Sequence, residues 1–396
     1  MMALLYIGSR GYGSKIGPLI ACCLFAWSFW LTALPGHAHD MASELESYTN
    51  TVRMGSKVEK LRREEYRFVP VPVPISNPTT GSGLAMGLLY MWPQEEDDTD
   101  IPTSISGVGG LYTSTDSWAA AIFHQGFYAG DRFRVQGVLG YADFNLKYYG
   151  IGSDSFFRDN PLDYNITGLL FSPRAEFQLP FISKDLYLGL KFNYLDSKVG
   201  LDLSGISPLL PEVAIAERVV GLGPVFSYDS RNNVNWPSQG SWLDVSVLDY
   251  GDYLGGDFDY LQSTLKWTQY FPITDTVVLG YRFDGQFIDG AAPFYMLSYI
   301  NLRGFSRGVY ADDHAVTLQG QVRWDVSSRW TILFFGGGGR VAEDVGDLSS
   351  SPTQFAGGAG FRYMIDPESG ISIGADLASA GDGIEFYVQV SDFFAN

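Results

Sequence analysis

The sequence predicts an all-β fold, namely a transmembrane antiparallel β-barrel. Many segments alternate apolar and polar side chains with a period of two, and several reach the length of a tilted bilayer crossing. The chain combines 46 glycines and 15% aromatic residues with 18% charged residues, which suits strands with one apolar and one polar face. After the N-terminal segment no apolar run is long enough for a spanning helix, so a spanning sheet must close on itself.

Residues 1–38 are predicted to be a secretory signal peptide. Arg10 and Lys15 precede a long uncharged apolar run, and a small-x-small pattern ends at Ala38, where cleavage is expected. A transmembrane anchor is the alternative for this run. Both cysteines of the chain fall inside it, so the mature chain is expected to have neither disulfides nor thiolate ligands.

Composition and motifs exclude several kinds of function. A formal net charge of −18 rules out nucleic-acid binding by phosphate neutralisation. No zinc or phosphate-binding motif is present, so neither a metal nor a cofactor is expected. Ser372 lies in a Gly-x-Ser-x-Gly match, but in an alternating strand rather than the strand–turn–helix that a serine nucleophile needs. The protein is therefore not expected to be an enzyme, and an outer-membrane esterase or lipase is kept as a second alternative.

Strands with one apolar and one polar face can be traced from Gly81 onward. They are predicted near 81–92, 103–113, 117–128, 131–149, 163–178, 185–197, 216–229, 240–250, 257–270, 275–288, 316–327, 330–340, 354–365, 370–379 and 383–394. Because single-chain bacterial barrels have an even number of strands, one strand is miscounted, and 140–164 or 197–217 is where we expect the error.

Residues 68–75 are predicted to be an extended leader, because a proline stands at alternate positions and prolines forbid a central strand. Residues 39–80 are accordingly assigned to a short periplasmic segment and residues 81–396 to the barrel. Aromatic residues at the strand ends, such as Tyr250, Tyr270 and Phe394, are predicted to form interfacial girdles.

Residues 290–314 form a long apolar loop between two predicted strands. Hairpin loops are normally short and polar, so we expect this loop to fold into the barrel lumen. Arg303, followed by Gly304 and Phe305, would need a carboxylate there, because a buried guanidinium must be paired. The alternative is that Arg303 lies in solvent on a mobile surface loop.

Strand parity predicts which carboxylates face the lumen. Asp376 is the first candidate partner of Arg303 and Asp325 the second, and Glu385 also has the required parity. Glycines 336–339 would let the loop backbone approach the barrel wall closely, although a kink that helps to close the barrel would explain them equally well.

Three motifs stand in order along the chain. Asp229-Ser-Arg231 leads to Pro237-Ser-Gln-Gly240, Leu302-Arg-Gly-Phe305 lies in the long loop, and Gly358-Ala-Gly-Phe-Arg362 leads to Pro367. These stretches resemble the BamA/TamA-type outer-membrane assembly superfamily, also described as bacterial surface antigens. They are similar to its Asp-x-Arg turn followed by Pro-x-x-Gly, to its sixth extracellular loop and to its third-last strand.

The resemblance covers roughly residues 70–394 and implies about sixteen strands, since five strands follow the loop. It implies insertion or translocation of partner proteins, or a reduced relative of such a machine. Members usually carry periplasmic POTRA domains, for which residues 39–80 are too few, so a barrel-only member is expected. Carboxylates common in the family are replaced by Gly336 and Gln321.

The last predicted strand resembles the C-terminal signal by which outer-membrane barrels are recognised for insertion, with Gly383, Phe386, Val388 and Phe394 as its residues. The expected location is the outer membrane of a Gram-negative bacterium. Expected partners are outer-membrane lipid and lipopolysaccharide, the barrel assembly machinery, and outer-membrane or secreted proteins as cargo. A passive outer-membrane channel is the first alternative function.

Overall fold

The structure is a computed structural model in which sixteen antiparallel strands form one sheet, curved into a nearly closed barrel. The predicted fold class is thereby confirmed. The predicted signal peptide and the acidic stretch 95–98 lie outside the described residues. The structure describes residues 68–93, 104–203, 213–366, 371–380, 383–390 and 392–395.

Each strand pairs with the next one along the chain, and all neighbours are antiparallel. The strands are β1 Phe68–Asn77, β2 Gly81–Met91, β3 Ile105–Thr113, β4 Trp118–Tyr128, β5 Phe133–Tyr148, β6 Leu162–Gln178, β7 Leu186–Leu201, β8 Val213–Asp229, β9 Gly240–Tyr250, β10 Tyr260–Thr274, β11 Val277–Gly290, β12 His314–Asp325, β13 Trp330–Ala342, β14 Gln354–Asp366, β15 Ile371–Ser379 and β16 Ile384–Val390.

Short 3₁₀ helices occupy some of the connections: Phe156–Arg158, Asp252–Leu254, Phe294–Met296, Val345–Ser349 and Phe393–Ala395. None of the helices in the described ranges has the length and apolar character that a membrane crossing requires.

The barrel is apolar outside and largely polar inside. On β12, Leu318 and Val322 are exposed, whereas the intervening Gln319 and Gln321 are buried in the lumen. This is the reverse of a water-soluble β-sandwich, and it is the pattern of a barrel whose outer surface meets hydrocarbon. The lumen wall of β2 to β6 is more apolar, and it packs toward Tyr295 and Met296 of the long loop.

The strand missing from the sequence-based count is β1, so the expectation of an error in 140–164 or 197–217 was wrong. Phe68–Asn77, interpreted above as a leader, pairs with β2 over its whole length. Its position explains how prolines are accommodated, because an edge strand needs partners on one side only. Pro70, Pro72 and Pro74 point outward, while Val73 and Ile75 are buried inside.

The pairing also shows which way the three proline nitrogens point. Facing pairs of an antiparallel ladder alternate between pairs that exchange N–H···O bonds and pairs that exchange none, and proline has no N–H to give. Elsewhere in the barrel a proline facing a neighbour interrupts the ladder: the β6–β7 register skips Pro173 and the β8–β9 register skips Pro224. The β1–β2 ladder has no such gap, so Pro70, Pro72 and Pro74 turn their nitrogens away from β2.

The three proline nitrogens of β1 face β16, which lies beside β1 and completes the cylinder. Within the described residues no backbone ladder joins these two strands. A side-chain bond from the Ser76 hydroxyl to the carbonyl oxygen of Phe386, 3.3 Å long, crosses the junction. We call this junction of β1 and β16 the seam. Among the described residues it is the one junction of neighbouring strands that no backbone ladder spans.

Candidate functional site

The long loop between β11 and β12 folds into the lumen. It begins with the 3₁₀ turn Phe294–Met296, and its ends pair as two short strands, Ser298–Tyr299 and Ala311–Asp312. Between them the chain descends to Arg303, which is 1% exposed. The expectation of an inward-folded loop is confirmed, and the alternative of a solvent-exposed Arg303 is excluded by this burial.

Arg303 lies against the carboxylate of Asp376 on β15. Its Nη1 donates to Asp376 Oδ2 over 2.9 Å, and both side chains are fully buried. Arg362 of β14 donates to both oxygens of the same carboxylate over 2.6 and 2.9 Å. One carboxylate therefore joins two guanidinium groups, which anchors the loop to two strands of the wall.

The glycine at position 360 makes room for this carboxylate. Gly360 pairs with Asp376 across β14 and β15. A Cβ added at Gly360 would lie 1.9 Å from Asp376 Oδ1, which no side chain tolerates. The Gly-Ala-Gly-Phe-Arg motif thus supplies both the space for Asp376 and one of its cations.

Two glutamines of β12 complete the hydrogen bonding of Arg303. Gln319 Oε1 accepts from Nη2 at 3.0 Å and from Nε at 3.2 Å, and Gln321 Oε1 accepts from Nη2 at 2.9 Å. The guanidinium carbon also lies 3.5 Å from the ring centroid of Phe335. Burial lowers the pKa of Arg303 to about 10 and the charge of Asp376 opposes that effect, so this loop residue stays cationic at neutral pH.

The residues after Arg303 hold the loop in place. Gly304 has a φ of +116°, a backbone conformation that favours glycine, and its N–H donates to the hydroxyl of Tyr387 on β16 over 2.8 Å. Phe305 packs beside Tyr310 with the buried cluster around Ile300 and Leu302.

The glycine run of β13 provides space for the same loop. A Cβ at Gly337 would lie 3.0 Å from Leu302 Cδ2, and one at Gly339 would lie 2.6 Å from Ile300 Cγ2. The loop therefore approaches the wall at Gly337 and Gly339, as the glycines predict, whereas a Cβ at Gly336 would meet its nearest neighbour, the carbonyl oxygen of Ala356, at an ordinary 3.7 Å.

The turn between β8 and β9 forms a separate ion pair. Arg231 donates from Nε and Nη2 to Asp229 over 2.8 and 2.7 Å. Gly240 has a φ of +99°, and a Cβ there would lie 2.3 Å from the carbonyl oxygen of Ser230. The carbonyl of Pro237 accepts from Arg323 Nη2 at 2.6 Å, which connects this turn to the lumen.

Some of the residues predicted from the sequence lie elsewhere. Asp325, the second candidate for Arg303, accepts instead from the Thr331 hydroxyl at 2.5 Å, and Glu385 is half-buried on β16. Tyr250 and Tyr270, predicted in interfacial girdles, are buried in the lumen.

The predicted C-terminal signal is divided between the two faces of the wall. Gly383 and Phe386 are exposed and Val388 is half-buried. Phe394, also predicted in a girdle, is fully buried inside the barrel. β16 ends at Val390, so Phe394 is not part of a strand.

Sequence reasoning named Arg362 as part of a motif without giving it a role, and it assigned none to Gln319, Tyr387, Arg323 and Asp392. Strand parity places Arg323, Gln319 and Tyr387 inside the barrel, because each directly follows an exposed apolar residue: Val322, Leu318 and Phe386. Asp392 follows the last strand, where parity has no meaning, and no sequence pattern indicates its partner.

These contacts form one connected cluster. We call Arg303, Asp376, Arg362, Gln319 and Gln321 the Arg303 cluster; it is fully buried, charged and hydrogen-bonded. It contains no nucleophile with an adjacent base: Ser372, in β15, is buried and its hydroxyl has no partner. Within the described ranges no group of three or more histidine, cysteine or acidic residues could hold a metal ion. What the arrangement does is hold a loop against the lumen wall.

Comparison with known proteins identifies the fold. Residues 127–380 match the Omp85 superfamily domain, while no curated protein matches the sequence. BamA from Haemophilus ducreyi lacking POTRA domains 1–3 has a similar structure, with a TM-score of 0.56 and 13% identity over 82% of this chain and 70% of that one.

CdiB from Escherichia coli has a TM-score of 0.56 and 13% identity, over 82% of this chain and 62% of that one. For CdiB from Acinetobacter baumannii the TM-score is 0.50 and the identity is 12%, over 82% of this chain and 58% of that one. This chain thus spans less than two thirds of either CdiB. At such identities the likeness concerns the fold alone, which is typical of Gram-negative outer-membrane proteins.

The domain match spans more than half of the chain and contains all three motifs on which the resemblance rests. Those motifs are joined in the structure by a continuous series of hydrogen bonds, which runs from Arg362 through Asp376, Arg303, Gln321, Asp392 and Arg323 to the carbonyl of Pro237. We conclude that this chain belongs to the Omp85 superfamily.

Proposed function

We propose that this protein inserts other proteins into the outer membrane or translocates them across it, or is a reduced relative of such a machine. The observation that carries the proposal is the seam. A barrel in hydrocarbon normally satisfies every backbone group by closing its ladder, and an unpaired strand edge is otherwise a liability. At the seam, three prolines prevent β1 from forming a complete backbone ladder with β16. The wall of the barrel can therefore open sideways there.

The plugged lumen favours this function over a passive channel. Loop residues from Tyr295 to Arg303 are almost all buried inside the barrel, and the Arg303 cluster holds them by charge-assisted bonds. A diffusion channel needs an open lumen, whereas lateral passage of a protein segment needs an opening in the wall. Ser372, the serine of the Gly-x-Ser-x-Gly match, lies within a strand and its hydroxyl has no hydrogen-bonded base, so an esterase or lipase is disfavoured.

The partners follow from the location that the fold implies. The exposed apolar outer face suits outer-membrane lipid, with lipopolysaccharide in the outer leaflet, and the barrel assembly machinery would insert the chain itself. Cargo would be other outer-membrane or secreted proteins.

Crosslinking the seam tests the proposal. Cysteines at Ser76 and Phe386 would join β1 to β16, where the Ser76 hydroxyl lies 3.3 Å from the Phe386 carbonyl oxygen. Cysteines at Ser76 and Ser82 are the matched control, because these residues already pair within the β1–β2 ladder. The only native cysteines lie in the predicted signal peptide.

A strain lacking the protein is complemented with each variant, and its outer-membrane proteome is compared under oxidising and reducing conditions. We expect the Ser76–Phe386 disulfide to reproduce the deletion proteome until it is reduced, and the Ser76–Ser82 disulfide to behave like the wild type. Normal complementation by the oxidised seam variant would refute lateral passage and favour the channel.

A further inference from the structure

The segment after β16 turns into the lumen instead of continuing along the wall. It contains Asp392 and the 3₁₀ turn Phe393–Ala395, and we call residues 392–395 the C-terminal segment. Asp392 is 1% exposed and Phe394 is 0% exposed. A charged residue is buried to this degree only where it is paired with an opposite charge and hydrogen-bonded.

Arg323 forms an ion pair with Asp392. Its Nη1 donates to Asp392 Oδ2 over 2.7 Å, and Gln321 Nε2 donates to Oδ1 over 2.9 Å. Trp236 lies under the Arg323 guanidinium, with 4.0 Å from the guanidinium carbon to the ring centroid. The carboxylate is thus received by a cation that the β8–β9 turn holds in place.

The two phenylalanines fill defined positions beside it. Phe394 packs against Tyr270 and Val278, and a Cβ at Gly280 would lie 3.2 Å from its ring, so the missing side chain there makes space for the ring. Arg282 donates to the carbonyl of Phe393 over 3.0 Å, and Thr268 donates to the carbonyl of Phe394 over 3.3 Å.

The segment does not satisfy this site completely. Arg323 Nε and the Tyr270 hydroxyl are buried without a hydrogen-bond partner, although Asp392 engages Arg323 through Nη1. A buried donor left unpaired costs about 1–3 kcal/mol. A carboxylate bound to both Nε and an Nη of Arg323 would recover part of that cost. A segment of another polypeptide that binds in this way could therefore replace the chain's own segment.

We propose that the lumen contains a binding site for an acidic–aromatic peptide segment, of the type Asp-x-Phe, which the protein's own C-terminal segment occupies until a segment of another polypeptide displaces it. The carboxylate of the peptide binds Arg323. Its phenylalanine ring occupies the space beside Gly280, where Phe394 lies in this structure, and Arg282 and Thr268 donate to the peptide carbonyls. The site is independent of the seam, so it stands whether or not the wall opens.

Displacement would be communicated to the loop. Gln321 donates to Asp392 and accepts from Arg303, so one amide touches both the C-terminal segment and the Arg303 cluster. Arg303 also lies 4.6 Å from the ring centroid of Phe393. Departure of the segment therefore removes the Phe393 ring from Arg303 and, at the same time, one hydrogen-bond partner from Gln321, which holds Arg303.

A binding experiment with the full chain in detergent tests the proposal. The probe is a fluorescent peptide with the sequence of residues 391–396, Ser-Asp-Phe-Phe-Ala-Asn, followed by anisotropy. The variant D392N/F394A weakens the resident segment while all receptor residues remain. We expect it to bind the peptide at least about tenfold more tightly than the wild type, because the tethered segment competes at a high effective concentration.

Adding R323Q to that variant should weaken peptide binding about tenfold or more, since it removes the charge-assisted bond. R340Q is the matched control, because Arg340 bonds to the carbonyls of the distant 345–349 turn. The proposal would be overturned if the D392N/F394A variant bound no peptide. It would also be overturned if adding R323Q and adding R340Q to that variant gave equal peptide affinities.

A second measurement leaves the segment unmutated. Chymotrypsin cleavage after Phe394, read by intact mass, should be slow in the wild type and in R340Q, because Phe394 is buried, and fast in R323Q. A segment that stays protected in a folded R323Q variant would show that Arg323 does not hold it, and the site would be wrong.

Discussion

At the scale of single residues, the carboxylate of Asp376 is shared between two cations. Arg303 reaches it from the loop and Arg362 from the neighbouring strand. Removing Arg303 leaves Asp376 paired with Arg362, whereas removing Asp376 leaves two buried guanidinium groups without their anion. The two changes are therefore unequal, although they break the same contact.

We predict that D376A destabilises the barrel more than R303A does. Loss of a charged hydrogen-bonding partner costs about 1.5–3 kcal/mol, and leaving a buried charge unpaired costs about 3–5 kcal/mol. Urea unfolding followed by tryptophan fluorescence measures both, with R132A at an exposed arginine as the control. Equal effects of D376A and R303A would show that Arg362 does not share the carboxylate.

Protease protection of the loop is a separate prediction for the same residue. R303A should make residues 290–314 accessible to added protease in the folded barrel, because the loop loses its deepest anchor. R132A should leave the loop protected. If R303A remains as resistant as the wild type, the packing of Leu302 and Phe305 holds the loop without the ion pair.

Gly360 gives a prediction about space rather than charge. G360A should displace the Asp376 carboxylate and lower stability by at least about 1–3 kcal/mol, the usual cost of overpacking. G320A is the matched control, because a Cβ there would meet its nearest neighbour at an ordinary 3.7 Å. A G360A variant as stable as G320A would contradict the shared-carboxylate geometry.

At the scale of elements, β1 is a strand with a paired side and an unpaired side. The unbroken register with β2 and the gaps at Pro173 and Pro224 show that a proline is harmless only where its nitrogen faces no partner. The alternate spacing of Pro70, Pro72 and Pro74 removes donors from one side of the strand and leaves the other side intact.

We predict that replacing these three prolines with valine lets β1 pair with β16. Three restored N–H donors, each contributing about 0.5–1.5 kcal/mol, should raise the temperature at which the barrel unfolds on a gel and slow amide exchange in β16. P224V is the control for the amide exchange, because it restores a donor in the β8–β9 ladder, away from the seam, and should leave exchange in β16 unchanged. Unchanged exchange in β16 would mean that the strands are held apart by something other than the missing donors.

At the scale of the whole molecule, the long loop and the C-terminal segment close the lumen together. The loop reaches Arg303 from the β11–β12 end, and the segment enters after β16 and meets it at Gln321. Where the two segments meet, the described interior is packed with buried charged and polar side chains, Arg303, Gln321, Arg323 and Asp392 among them.

We predict a low single-channel conductance for the wild type in planar bilayers. Replacing residues 291–313 with a short glycine–serine turn should raise it several-fold, because the larger of the two plugs is gone. Shortening the exposed 345–349 turn is the control and should change nothing. A wild-type conductance equal to that of the loop variant would favour the passive channel.

Much of the fold follows from the residue pattern, because period-two alternation is a local property. It predicts the strands from Gly81 onward and the inward loop, since an apolar hairpin loop has to be buried. It also places Asp376 in the lumen by parity. It failed for β1, because prolines at alternate positions look unfit for any sheet until the strand is known to be an edge.

Contacts between distant segments depend on how the cylinder closes. Parity states which face a side chain occupies, but not which strand stands opposite across the lumen. Hence the pairing of Asp392 with Arg323, the shared role of Arg362 and the burial of Tyr250 and Tyr270 became visible only in three dimensions. The alternation along each strand is written in the chain, whereas the interior contacts arise from the curvature and register of the whole sheet.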